Sequence, residues 1–157
     1  MAKFVLQLPD EIMKDVQFVG NNTEKIFGAM TKAGAEVVAG KVRATAPVKG
    51  MAEHVKISVQ YKTPSDDGIN TKVYFSGYLP FSGNRTSFSR RGKAGGIVYS
   101  TSKGIPVAFL ANIFEYGRST SPFPKRPFFR KAFSGSGVRN AMINAQVKES
   151  GGLLKDE

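Results

Sequence analysis

The side chains that do most enzyme chemistry are scarce in this chain. His54 is the only histidine, and cysteine is absent. A Ser-His-acid triad would have to be built round His54, yet no serine stands in a nucleophile-elbow sequence. A surface histidine just before a strand is the simpler reading. Without cysteine there can be no thiolate nucleophile, zinc-thiolate site or disulfide, a pattern that suits a reducing compartment. Glu36, Glu53 and Glu115 are scattered without metal-ligand spacing. Asp66 and Asp67 sit in Pro64-Ser65-Asp66-Asp67-Gly68, where turn chemistry accounts for them. Glycines are frequent, but no phosphate-binding or dinucleotide fingerprint follows a strand and opens a helix. The expectation is a chain with no catalytic residues, no cofactor and no metal, and hence not an enzyme.

Charge is the stronger signal. The formal net charge is +11. From Gly68 to Gln146 the bases are Lys72, Arg85, Arg90, Arg91, Lys93, Lys103, Arg118, Lys125, Arg126, Arg130, Lys131 and Arg139, against one acid, Glu115. Such a field favours a polyanionic partner, a nucleic acid or an acidic protein surface, and speeds encounter with it. A merely solubilising basic surface is the alternative. With 157 residues, 41% hydrophobic and 12 Phe, the chain can bury a core as one domain. No apolar run approaches the roughly 20 residues that span a bilayer, so no membrane is expected, and the polar, acidic start is unlike a signal peptide.

The elements follow from periodicity. Pro9 and Asp10 suit the opening of a short helix, which Gly20-Asn21-Asn22 interrupts. A longer helix is expected from Asn22 or Thr23 to Ala46-Pro47, with Ile26, Met30, Ala33, Val37, Gly40 and Ala44 as its apolar stripe. Gly28, Gly34 and Gly40 cost helix propensity, which close packing would offset. The period then becomes two. Val55, Ile57, Val59 and Tyr61 form a half-buried strand, and Thr71 to Phe75 returns beside it as an antiparallel hairpin. Residues 77–95 form a long basic loop carrying Arg85, Arg90, Arg91 and Lys93 among aromatic residues. Such a loop is functional or disordered. It could stack on single-stranded nucleic acid or order against a neighbouring subunit. A strand from Gly96 to Thr101 would close it.

Pro106 fits a first helical position, with Val107, Leu110, Ala111 and Phe114 on one face and Gly117 as the stop. Glu115 lies in the last turn, where its charge opposes the helix dipole. It is expected to pair with Arg118, Arg126 or Arg130, or to accept backbone N–H groups of the following loop; a partnerless surface acid is the alternative. Pro127 then opens a helix anchored by Phe128, Phe129 and Phe133. Ser134 to Gly137 breaks it, Val138, Met142 and Ala145 continue it, and the tail from residue 148 is expected to fray. Phe114, Tyr116, Phe128 and Phe129 are the expected packing anchors.

Three segments carry a resemblance: Ala44-Thr-Ala-Pro-Val-Lys-Gly50, Phe109-Leu-Ala-Asn-Ile-Phe-Glu-Tyr-Gly117 and Pro127-Phe-Phe-Arg-Lys-Ala-Phe133. In this order round a hairpin, they make residues 22–147 resemble the tailed-bacteriophage head-tail joining and tail completion family. The resemblance implies an α+β domain with a small antiparallel sheet and long hairpin loop, packed by a long helix and shorter C-terminal helices. It also implies a virion protein of the neck, assembled in the host cytoplasm as a homo-oligomeric ring, a hexamer. The ring would meet the connector above and tail tube or terminator proteins below, beside double-stranded DNA that it does not read. The runner-up is a sequence-independent nucleic-acid-binding module using loop 77–95.

Overall fold

The structure, a computed structural model, describes residues 9–65, 68–80, 104–117 and 124–153. The fold is α+β, helices with short antiparallel strand pairs. The chain divides into two compact units. One comprises Met1–Val37, Val59–Thr71 and Ser136–Glu157; the other comprises Val38–Ser58 and Lys72–Gly135. Residues 22–147, read above as one domain, contribute to both.

Helix α1 spans Asp10–Asn21, with Pro9 as its N-cap and Asp10 and Glu11 in the first turn, where acids favour the dipole. Asn22 breaks the helix; its backbone and side-chain N–H groups both return to Phe18 O. Helix α2 runs Thr23–Thr45 and ends before Ala46-Pro47, since the residue before a proline avoids the helical region. In the first unit Ile26 and Ala35 are buried. Two of its glycines are sites of close approach. A Cβ on Gly28 would strike the Gln60 side chain, and one on Gly34 would lie 2.9 Å from Met142 Cγ.

In the second unit α2 buries Val38, Ala39 and Val42. Gly40 and Ala44, expected on the apolar stripe, are exposed. A stripe extrapolated by threes and fours drifts round a helix of 3.6 residues per turn, and the face this unit covers is a different one. Gly40 has nothing near the position of a Cβ.

The expected hairpin forms in two pieces. Strand β1 (Val55–Ile57) pairs with β4 (Val73–Phe75) in the second unit, Val55 opposite Phe75. Strand β2 (Tyr61–Lys62) pairs with β3 (Ile69–Asn70) in the first. The ladder lapses between them, and Val59, counted above among the buried positions, is 87% exposed. Just past β1 the Ser58 N–H still bonds Lys72 O at 2.8 Å, and regular pairing resumes at Tyr61. Strand β5 (Tyr78–Leu79) pairs with β6 (Ile105–Pro106). The strand expected at Gly96 to Thr101 lies outside the described residues.

Helix α3 covers Val107–Tyr116; Pro106 is its N-cap, one place before the position expected. It packs on β4, β6 and α4, the last spanning Phe129–Phe133. Helix α5 runs Ser136–Glu149, so the break is confined to Ser134-Gly135 and Gly137 is helical. Its end is tied as far as Leu153, and residues 154–157 of the expected tail lie outside the described residues. Gly152 N–H bonds Val147 O at 2.9 Å, with Gly151 and Gly152 at positive φ, and Ser150 is buried.

Gly104 and Gly40 make opposite tests. Gly104 has φ +91°, and a Cβ there would collide with the Leu79 carbonyl. Gly104→Ala should therefore lower unfolding stability by about 1–3 kcal/mol. Gly40→Ala, in an open helix interior, should raise it by about 0.5–1 kcal/mol. Urea titration of both variants checks the pair, and equal effects would refute the close approach at Gly104.

Candidate functional site

The most constrained polar group in the second unit is the Glu115 carboxylate. It lies in the last turn of α3, the wrong end for an acid, yet it is only 4% exposed. Burying a carboxylate is costly unless hydrogen bonds replace its water. Four donors do so. Phe128 N–H and Phe129 N–H each donate to Oε2 at 3.0 Å, Arg130 N–H donates to Oε1 at 3.3 Å, and Arg130 Nε donates to Oε1 at 2.7 Å.

The three N–H groups belong to the N-cap and first turn of α4. Phe128, the N-cap, has no side-chain oxygen with which to cap. Glu115 supplies that oxygen from the preceding helix, so an acid misplaced on α3 is well placed on α4. A further bond, Arg126 N–H to Phe114 O at 2.7 Å, draws the two segments together through the backbone.

Aromatic packing fixes the same corner. Phe75 on β4 lies 6.0 Å from Phe128 and 5.8 Å from Phe129 between ring centroids, and Phe129 lies 5.4 Å from Phe133. Phe128 and Ala132 are buried. Phe75 joins the strand pair to α4, a role the sequence reading missed. Its signal was the alternation that puts it opposite buried Val55.

Of the acid's three expected partners, Arg130 is brought to it; Arg126 instead bonds Phe114 O through its backbone N–H, and Arg118 lies outside the described residues. Of the expected anchors, Phe128 is buried and Phe114 and Phe129 are half-buried. Tyr116 is corrected: it is 64% exposed, with the Arg130 guanidinium carbon 5.2 Å from its ring centroid. Phe133 is likewise exposed. Each ends its helix on the side away from the core. Arg85, Arg90, Arg91 and Lys93 lie outside the described residues. The His54 ring packs against Gly77, where a Cβ would lie 2.6 Å from Nδ1.

Burial pushes the Glu115 carboxyl up, but the Arg130 guanidinium and the three backbone N–H groups outweigh it, so its pKa falls below the ordinary value of 4.5. Arg130 is raised in turn, chiefly by its hydrogen bond to Glu115. The arrangement leaves the acid committed to structure rather than poised to accept a proton. Among the described residues no group of three or more His, Asp or Glu could hold a metal ion. Two depressions among the described residues are open surface hollows, one lined by Arg43, Glu53 and Lys56 among others, the other by Phe27, Met30 and Ile69 among others.

No protein-family model, curated protein or solved structure matches the chain.

Glu115→Gln keeps the shape but turns an N–H₂ toward N–H donors, and should cost roughly 1.5–3 kcal/mol at neutral pH. The sign of the pH effect follows from a lowered folded-state pKa. The carboxylate's contribution is complete above the unfolded value near 4.5 and is lost as pH falls through the lower folded value. Denaturant titrations from pH 7 to pH 2 should show the gap between native protein and variant closing only below about 4.5. A gap that is absent at pH 7, or constant throughout, would refute the role.

Proposed function

We propose that this chain is a structural subunit of a tailed-phage neck, forming a homo-oligomeric ring, a hexamer, that completes the tail and joins it to the head connector around the DNA path. It acts by assembly and not by catalysis, in the virion, after synthesis in the host cytoplasm.

The observation that carries this reading is the Glu115 clasp. The Glu-Tyr-Gly end of α3 and the Pro-Phe-Phe-Arg opening of α4 belong to two of the three segments that carry the family resemblance, and one carboxylate ties them into a single corner. Such a corner serves a subunit that must present fixed surfaces to neighbours on several sides. No helix among the described residues is long and apolar enough to cross a membrane.

Charge refines the proposal. A channel lined by many Lys and Arg would hold DNA through counterion release and slow its exit. Arg85, Arg90, Arg91 and Lys93 are therefore assigned to contacts with acidic neighbour rings, together with the connector and the tail tube or terminator.

Native mass measurement and electron microscopy of the purified protein should give closed rings. Binding to free DNA should be weak at about 0.15 M salt. A monomer that binds DNA or RNA tightly with a steep salt dependence would overturn the reading in favour of a nucleic-acid-binding module. A ring with Arg85, Arg90 and Arg91 all pointing into the channel would overturn the assignment of that loop.

A further inference from the structure

Helix α1 has an apolar stripe that no described residue buries. Ile12, Val16 and Val19 recur at intervals of four and three, with Met13 beside them, and the helix buries no residue. Val16 is 60% exposed, and Ile12, Met13 and Phe18 are exposed as well. An isolated helix of this length is marginal in water, so a partner for the stripe would stabilise it. The helix is also acidic, Asp10, Glu11 and Asp15 against Lys14 alone. Glu11 and Asp15, one turn apart, border the stripe.

The second unit offers the opposite surface. Tyr116 and Phe133 are exposed large rings; the Arg130 guanidinium lies over the Tyr116 ring, and Arg130 stands one turn before Phe133 on α4. Lys125, Arg126 and Lys131 are exposed nearby in sequence. The one acid between Gly68 and Gln146, Glu115, is buried and already paired with Arg130, so this segment has no second acid to set against Lys125, Arg126 and Lys131.

We propose that α1 of one copy docks on the Tyr116–Arg130–Phe133 patch of a second copy, apolar stripe on aromatic rings and acidic border on basic rim. The inference rests on the ring reading and supplies its contact. Two different surfaces meeting in this way make a head-to-tail interface, which closes into a ring when the rotation allows. The mode is an amphipathic helix seated by anchors at i, i+4 and i+7.

A cysteine-free chain makes the test direct. Val16→Cys and Phe133→Cys, made separately, mixed and oxidised, should give a disulfide between the two variants in excess of either self-linked pair. Val16→Asp, at an exposed position, should weaken self-association at least roughly tenfold in sedimentation, while at concentrations where both proteins are monomeric its helicity and melting match those of the native protein. Glu11→Lys with Asp15→Lys should weaken it too, and adding Lys125→Glu with Lys131→Glu should restore part of the loss.

Rings that form without the mixed disulfide and tolerate Val16→Asp would overturn this contact and leave the ring reading intact. A native protein that stays monomeric at high concentration would overturn both. A monomer of the double variant Val16→Cys/Phe133→Cys that links within itself would show that α1 covers its own patch, and would overturn the contact.

Discussion

The described part of the second unit depends on one constraint: a buried carboxylate must recover the hydrogen bonds it gave up to water. Glu115 recovers them from the start of the next helix, and that requirement dictates where α4 begins against the end of α3. The acid stands 13 residues before the N-cap it serves, so the bond closes a loop that neither helix would close alone. Phe75 then seats the corner on the β1–β4 pair, and α3 lies against β4 and β6. Remove the charge and each of these contacts loses its reason to be in register with the others.

The first unit is held by ordinary means. Glycine allows α2 and α5 to approach at Gly34 and Met142, Lys25 pairs with Glu149 at 3.0 Å, and Thr31 bonds Thr71 at 3.2 Å. These are exposed or half-buried interactions of modest worth individually. The contrast is informative: packing dominates one unit, and a single buried charge organises the corner of the other.

Local signals in the sequence were read well, and those that depend on a packing partner were not. Both ends of α2 and the glycine stop after Tyr116 were legible because caps and prolines act over a few residues, and the partnering of Glu115 was legible because a lone acid among bases has many donors to meet. The buried face of α2 was not, because periodicity gives the width of a stripe while the neighbour selects its rotation. The lapse of the ladder at Val59 was hidden for a similar reason: alternation describes side chains, whereas pairing needs two backbones in step. Tyr116 reads as an anchor by residue type, but it sits beyond the last buried position of α3. The close packing anticipated for the helical glycines holds at Gly28 and Gly34 and fails at Gly40. Arg85, Arg90, Arg91 and Lys93 lie outside the described residues, so their assignment rests on charge alone.

The chemistry of the clasp distributes mutational freedom unevenly. Three of the four donors to Glu115 are backbone N–H groups of Phe128, Phe129 and Arg130. Any residue except proline presents the same group, so those positions could drift in identity without disturbing this part of the bond pattern. The acceptor has no such latitude: aspartate is a methylene too short and every neutral side chain lacks the charge. Within the clasp, position 115 thus has least room to vary, while Phe128, Phe129 and Arg130 are held to type by their side chains and not by the N–H groups they donate.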